Sequence, residues 1–422
     1  MTESMTQSIL QAFFGILIFI AFCWFISEDR KHVNYKRTFI GLLVQTGIAA
    51  VILHVPVARI LIGYITDGVI ALKNATIEGT SFVFGFLGGG NVPFEATGST
   101  FVFAFQTLPM VIVISALSML LFHWRILPWF VRGISWVMKK SMGIGGALGV
   151  CSAAKIFLGQ TEAPLLIRPY LKNMSRSEIF TVMCMGFATT SALIIGLYAM
   201  ILEQIVPHSI VHLVTASIIS VPAAITLSRI VVPHTTPSTE GAMVVPYEFS
   251  GSMDAVAKGT SDGVRLFINI IAMLIVFVAL VSLCNRVLGL FPSFMGEPIT
   301  LQRLLGVVMS PVAWLMGISW QEASTAGSLL GIKTILNEFY AFTQFSKIGA
   351  DTLSIHARTV MAYALCGFAN VSSIGIMIGG LGSIVPERRE DILSLSFKAL
   401  IVGTLASCLS GTIVGILIWP YL

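Results

Sequence analysis

Apolar residues run almost unbroken, over stretches long enough to cross about 30 Å of hydrocarbon, at roughly 10–26, 39–57, 101–122, 177–200, 210–232 and 266–290, and less uniformly at 355–383 and 391–419. Eight spans in 422 residues leave little chain outside a bilayer. Segment 58–100 is too interrupted for a span, carrying Asp67, Lys73, Asn74, Glu78 and the run Gly88-Gly89-Gly90-Asn91, and is expected at the outer surface with its glycines in a loop. Those glycines lack the following Lys-Ser/Thr and the preceding strand that a phosphate-binding loop needs. A second polar stretch, 233–262, is rich in Pro, Thr, Ser and Gly and reads as a cytoplasmic linker between two halves.

The pattern repeats on either side of that linker. In the first half a polar-tipped stretch at 146–172 precedes a span interrupted by Ala188-Thr189-Thr190-Ser191 and then a plain span at 210–232. In the second, a polar-tipped stretch at 319–346 precedes a span interrupted by Asn370-Val371-Ser372-Ser373 and then a plain span at 391–419. An odd number of crossings separates the two units, so they point oppositely across the membrane. Such inverted repeats build a solute site near the midplane, between broken helices and re-entrant hairpins. The competing reading is that the tips are ordinary loops and the Ser/Thr triplets helix-packing residues. The expected fold is an all-α polytopic membrane protein of about eight transmembrane helices plus two re-entrant helical hairpins, with interfacial helices. Its expected parts are 1–140 (scaffold spans 1–3 and interfacial helices), 141–232 (hairpin 1, broken span 4, span 5), 233–302 (cytoplasmic linker and scaffold span 6) and 303–422 (hairpin 2, broken span 7, span 8).

Composition agrees. The chain is 56% hydrophobic and 11% charged, which excludes one water-soluble core. Its net charge of +5 comes from 25 Lys and Arg scattered through short loops, a pattern that orients a membrane protein and does not bind nucleic acid. Arg30, Lys31, Lys36 and Arg37 after the first span, Arg125, Arg132, Lys139 and Lys140 after the third, and Arg388 and Arg389 before the last put those loops in the cytoplasm and the N-terminus outside. Nothing basic precedes the first apolar run and no small-residue cleavage site follows it, so it reads as a retained span. Cys23, Cys151, Cys184, Cys284, Cys366 and Cys408 stand alone in apolar stretches and read as packing residues. His54, His208, His212 and His356 fall at span ends or loops, and His32, His123 and His234 near cytoplasmic loops, so all read as interfacial. No metal centre or cofactor is expected.

The candidate chemistry lies in the polar tips. Leu158-Gly159-Gln160-Thr161-Glu162-Ala163-Pro164 sets an amide, a hydroxyl and a carboxylate side by side in an apolar segment, and the other tip, within Ala323 to Phe342, holds Asn337-Glu338-Phe339. A charged side chain at bilayer depth costs about 2.5–3.5 kcal/mol on insertion scales, so Lys155, Glu162 and Glu338 are expected to face one another, water or a polar solute. Unwound backbone there adds free N–H and C=O groups, tolerable only around a cavity. The inventory suits a small neutral solute with many hydrogen-bonding groups, since it lacks an arginine fork for phosphate. Arg168, beyond Pro164, reads as a hairpin-end anchor, and Glu322 as a helix-dipole partner near an N-terminus.

Gly159-Gln160-Thr161-Glu162-Ala163-Pro164, Asn337-Glu338-Phe339 and Cys366-Gly367-Phe368-Ala369-Asn370-Val371-Ser372-Ser373, in this order, resemble the concentrative nucleoside transporters. The resemblance implies a bacterial inner-membrane homotrimer in which a scaffold holds the trimer and a transport domain moves as an elevator. It further implies that Gln160, Thr161 and Glu162 read the nucleobase of nucleosides such as uridine, with Ile194 and Phe368 in apolar contact, while Glu338, Asn370 and Ser373 bind ribose hydroxyls. An ionised carboxylate accepts from two vicinal hydroxyls, and an amide, donor and acceptor at once, suits a base edge.

One position departs from the pattern. Sodium-coupled members of the family place an Asn seven residues before the hairpin Glu, where it joins backbone carbonyls and groups of the broken span around sodium; this sequence has Lys155 there. The carbonyl of Leu158 and the groups of Thr189 and Thr190 remain as ligands, but an ammonium repels sodium and has no lone pair to give. The expectation is that Lys155 stands in the place of sodium and that protons drive uptake, with Lys155 and Glu162 as candidate carriers. A purely structural Lys155, or sodium at a shifted site, stays open. Two other functions are distinguishable: an intramembrane enzyme using Glu162 and Glu338 as an acid–base pair lacks a nucleophile or metal ligands, and a passive channel would not need paired gates.

Overall fold

The computed structural model describes residues 2–93, 100–236, 238–244, 249–293, 298–349 and 351–419. In chain order its α-helices are α1 (Thr2–Phe25), α2 (Tyr35–His54), α3 (Pro56–Phe84), α4 (Phe103–Gln106), α5 (Met110–His123), α6 (Ile126–Met142), α7 (Gly146–Ala154), α8 (Glu162–Leu165), α9 (Arg168–Leu171), α10 (Arg176–Ala188), α11 (Ala192–Leu202) and α12 (Ser209–Val231). They continue with α13 (Ser252–Leu288), α14 (Leu301–Leu315), α15 (Trp320–Ile335), α16 (Glu338–Phe345), α17 (Ile355–Leu365), α18 (Val371–Ile384) and α19 (Arg389–Ile418).

Among the described residues, six stretches are long and apolar enough to cross a membrane unaided: Met5–Phe25, Tyr35–His54, Phe103–His123, Ser209–Val231, Ser252–Leu288 and Pro386–Ile418. The other two expected spans are interrupted. Helices α10 and α11, of 13 and 11 residues, meet at 189–191, and α17 and α18, of 11 and 14 residues, meet at 366–370. At about 1.5 Å per residue neither half crosses about 30 Å alone, but each pair does. Local signals start the halves. Ser175 and Glu178 form a reciprocal capping box on α10, Ser354 caps α17, and Asn370 caps α18 by accepting from the Ser373 N–H at 2.8 Å.

Element order repeats as the sequence predicts. Hairpin α7–α8, broken span α10/α11 and span α12 are matched by hairpin α15–α16, broken span α17/α18 and span α19. Each hairpin also follows an amphipathic helix, α6 or α14, and α14 folds back on α15 at 117°. Helix α12 and the second half of α19 are largely buried, packed against α10, α17, α1 and α2. Helix α13 instead pairs with α5 and turns Ile268, Ile275, Leu283 and Val287 outward. Such an apolar exterior is what a hydrocarbon solvent permits, and Gly259 and Gly263, one turn apart, let α13 approach α5 at Ser115 and Ile112.

Several expectations are refined or corrected. Segment 58–100 is, as expected, not a span, and its first part is the single continuous helix α3; a 3-10 turn at Gly85–Gly88 follows, with the Gly88 carbonyl bound by Thr80 Oγ1 at 2.8 Å, and Gly89 and Gly90 lie in the loop beyond it. The second break lies ahead of its polar triplet, because Asn370 caps α18 while Val371, Ser372 and Ser373 are already helical. Residues 252–262, read as linker, are the first turns of α13. The rest, within the described residues, is docked, since Thr239 bonds Glu178 and Ala147 and the Val244 N–H bonds the Leu166 carbonyl at 2.9 Å. Cys284 is exposed on α13, whereas the other five cysteines are buried. His212 and His356 are packed inside the protein, against Tyr363 and against Trp419 and the Gly415 carbonyl.

Candidate functional site

Hairpin 1 descends as α7, ends at Lys155, and turns through 156–161 into the single turn of α8. The turn is tight because the Glu162 carboxylate curls back over Gly159, where a β-carbon would lie 2.1 Å from Oε2. Thr161 sits with its methyl against Gly380 of α18, and Gln160 beside Gly186 of α10. The Ala192 N–H bonds the Phe157 carbonyl at 3.3 Å, which fastens the hairpin to the restart of the first broken span. The two breaks touch as well: the Phe368 N–H reaches the Thr189 carbonyl at 3.4 Å, and a β-carbon on Gly367 would lie 2.7 Å from the Ala188 carbonyl oxygen.

The expected residues therefore converge, but their polar groups are satisfied unevenly. Buried Lys155 Nζ has no hydrogen-bond partner and lies 5.7 Å from the Phe368 ring centroid, a cation–π contact. Gln160 Oε1 and Glu162 Oε2 are also buried without partners, and Thr190 Oγ1 has only the weak thiol of Cys366 beside it. Thr189 is committed: its hydroxyl bonds the Met185 carbonyl at 2.8 Å. Ile194 is buried nearby. Buried polar atoms nearly always find partners, so four orphans at one corner mark a place meant for something else.

The carboxylate of the second hairpin is satisfied by its neighbours. Asn337 caps α16 through a 2.7 Å bond from the Tyr340 N–H, which sets Glu338 at the helix N-terminus, where the dipole favours a carboxylate. Glu338 accepts from Tyr198 OH at 2.9 Å and from Asn370 Nδ2 at 2.9 Å. Asn370 uses its other end on α18, accepting from Ser372 Oγ at 2.6 Å and the Ser373 N–H. Behind Glu338 an aromatic row of Tyr198, Phe339 and Phe103 leads to a cavity of about 620 Å³ walled by α3, α4, α11 and α16. Glu322 behaves as expected at its helix start, taking bonds from Ser319 Oγ and the Ser354 N–H.

Sequence reasoning missed Lys333. It is fully buried in α15, and its ammonium donates to the Ala364 carbonyl at 2.7 Å and to Ser407 Oγ at 2.9 Å. The signal was a lone lysine in an apolar helix five residues before Glu338, the mirror of Lys155 before Glu162.

Family models described as the Na+ dependent nucleoside transporter N-terminus and C-terminus match residues 14–87 and 212–415, and one described as nucleoside recognition, a gate, matches 104–205. Nucleoside permease NupC of Helicobacter pylori (strain ATCC 700392 / 26695) is 35% identical over 96% of both chains. The chain belongs to the concentrative nucleoside transporter family. The solved structure of CNTnw in an inward-facing, substrate-bound state is 33% identical, with a TM-score of 0.87 over 97% of this chain and 98% of that one. A variant of CNTnw in an outward-facing state gives 32% and 0.88 over 98% of each. Concentrative nucleoside transporters are multi-pass membrane transporters and not enzymes, so the paired carboxylates Glu162 and Glu338 are not an acid–base pair for catalysis.

Proposed function

We propose that this concentrative nucleoside transporter is a proton-coupled symporter that imports nucleosides such as uridine across a bacterial inner membrane, by elevator-type movement of the two hairpins and broken spans. The observation that carries the coupling is the orphaned corner of hairpin 1, where Lys155 Nζ stands unpartnered at the position of the sodium-binding Asn. With its charge already there, sodium has no place to neutralise, and proton exchange at Lys155 or Glu162 supplies the coupled charge. Gln160, Thr161 and Glu162 read the base against Ile194 and Phe368, and Glu338, held by Tyr198 and Asn370, accepts the ribose hydroxyls, with Ser373 alongside. The basic loops support a periplasmic N-terminus, and the family resemblance supports a homotrimer.

Uridine uptake into proteoliposomes under a proton gradient without sodium, then under a sodium gradient at equal pH, tests this. Accumulation with protons alone is expected; accumulation with sodium alone refutes proton coupling while leaving the nucleoside assignment intact. The sodium reading has one observation in its favour, that the matched family models are described as Na+ dependent, and it then requires a site that avoids Lys155, built on the Leu158 carbonyl and Thr189 and Thr190.

A further inference from the structure

The transport site leaves unused a basic cavity of about 330 Å³ at the membrane face that carries the 26–34 loop. Its walls are the start of α2 (Arg37, Thr38), the Gly143 turn after α6, the last turns of α12 (Thr226, Arg229) and His234. No Asp or Glu is among the described residues lining it. The guanidinium of Arg229 reaches it from inside, and its Nη2 is buried with no hydrogen-bond partner. Arg37, across the cavity, acts on Arg229 as a like charge, and Glu178, which does not line the cavity, acts on it as an opposite one.

None of the neighbouring polar side chains of the wall brings a negative charge to the guanidiniums, and each is hydrogen-bonded within its own segment. Thr226 Oγ1 donates to the Pro222 carbonyl at 2.7 Å, Thr38 Oγ1 to the Asn34 carbonyl at 3.2 Å, and Ser141 Oγ to the Val137 carbonyl at 2.8 Å, while Asn34 Oδ1 accepts from the Arg37 N–H at 3.0 Å. The nearby carboxylates are occupied too: Asp29 binds His32 at 2.6 Å, and Glu178 is held by Ser175 and Thr239. Burial first, and then the charge of Arg229, hold the His234 imidazole below its ordinary range, so at neutral pH it is one more neutral hydrogen-bonding group. Two guanidiniums lining one cavity that no carboxylate enters among the described residues, one of them with a buried unpartnered Nη2, present donors that suit an anion, and the guanidinium fork matches phosphate oxygens.

We propose that this cavity binds a phosphate-bearing anion, whether an anionic lipid headgroup or free phosphate, through Arg229 and Arg37. The bound group would join α2 and α12, which touch directly below it where Gly41 meets Thr226, to the Gly143 turn that leads into hairpin 1. Its place is therefore one from which transport can be tuned without contact with the nucleoside.

The full-length protein is purified in detergent and its melting followed with inorganic phosphate, and separately after reconstitution into phosphatidylcholine nanodiscs with or without phosphatidylglycerol. One of the two anions is expected to raise the melting temperature of the wild type. The concentration needed should rise about tenfold in both R229Q and R37Q, since one charge-assisted hydrogen bond is worth about that factor. Arg37 is exposed, so R37Q keeps the test open if R229Q folds poorly. A response to phosphate assigns a soluble anion, and a response only to phosphatidylglycerol assigns a lipid headgroup. No response to either in the wild type, or equal responses in wild type and both variants, overturns the site.

Discussion

Each hairpin buries one lysine, and the two are treated in opposite ways. Lys333 in hairpin 2 caps the Ala364 carbonyl, an acceptor that the end of α17 would otherwise leave orphaned, and also donates to Ser407, so protein acceptors hold its ammonium. Lys155 in hairpin 1 has a ring beneath it and no acceptor. The carboxylates follow suit: Glu338 is held by Tyr198 and Asn370, and Glu162 keeps a buried oxygen unpaired. One corner is finished by folding. The other is finished only by water, an ion or a solute, and that incompleteness is what a transport cycle can use.

The largest effect should come from Glu338→Gln. The amide keeps the shape of the network but loses the charge that accepts from vicinal hydroxyls, so the uridine KM for uptake should rise roughly tenfold to a hundredfold, for charge-assisted bonds of about 1.5–3 kcal/mol. Protein abundance in the membrane should not change, and wild-type uptake would remove Glu338 from ribose recognition.

Next comes the contrast between the lysines themselves. Lys333→Met deletes two short hydrogen bonds and strands the Ala364 carbonyl, and is expected to lower stability in detergent by on the order of 3 kcal/mol. Lys155→Met deletes a buried charge with no hydrogen bonds to lose, and should change the same melting curve by less than about 1 kcal/mol or raise it. Equal destabilisation of both variants would erase the distinction between the corners. Lys155→Asn sharpens it further: the restored amide should shift uptake toward dependence on a sodium gradient, and unchanged ion dependence would reduce Lys155 to a structural residue.

How much of this was legible in advance follows the physics of each signal. Apolar length reveals spans, so the six continuous ones and the two broken ones were readable, and so was Glu322 at a helix start. The tips were readable because Gln160, Thr161, Glu162 and Glu338 are polar where the surrounding composition is not. Where α18 begins was not, since Asn370 looks like one more polar residue until its side chain is seen capping a helix with one end and holding Glu338 with the other. Tyr198 and Ser407 were equally hidden, because a hydroxyl 140 residues from its carboxylate, or 74 from its ammonium, leaves no local trace. The length of helix α3 was not readable, because helix and span are different properties and only the second demands an apolar run.

The smallest effect belongs to the joint between the two repeats. Glu28, after α1, accepts both Nε and Nη2 of Arg176 at 3.1 Å and Lys398 Nζ at 2.8 Å, so it ties the start of α10 to the third turn of α19. Hydrogen bonding from Arg176, reinforced by Lys398 against a partial burial that opposes it, holds the Glu28 carboxyl below its ordinary range. Its contribution is therefore complete above about pH 4.3, the ordinary Glu value, and is lost as pH falls through the depressed one. Because the cluster is partly exposed and screened by salt, Glu28→Gln should cost less than about 1 kcal/mol near neutrality, most at low ionic strength. The melting curves of Glu28→Gln and wild type should converge as the pH is lowered through that range. A gap that persists in acid would mean that Glu28 acts through packing and not through its charge. A change in ion dependence would mean that the joint communicates with the unfinished corner of hairpin 1, which shares neither residues nor hydrogen bonds with it.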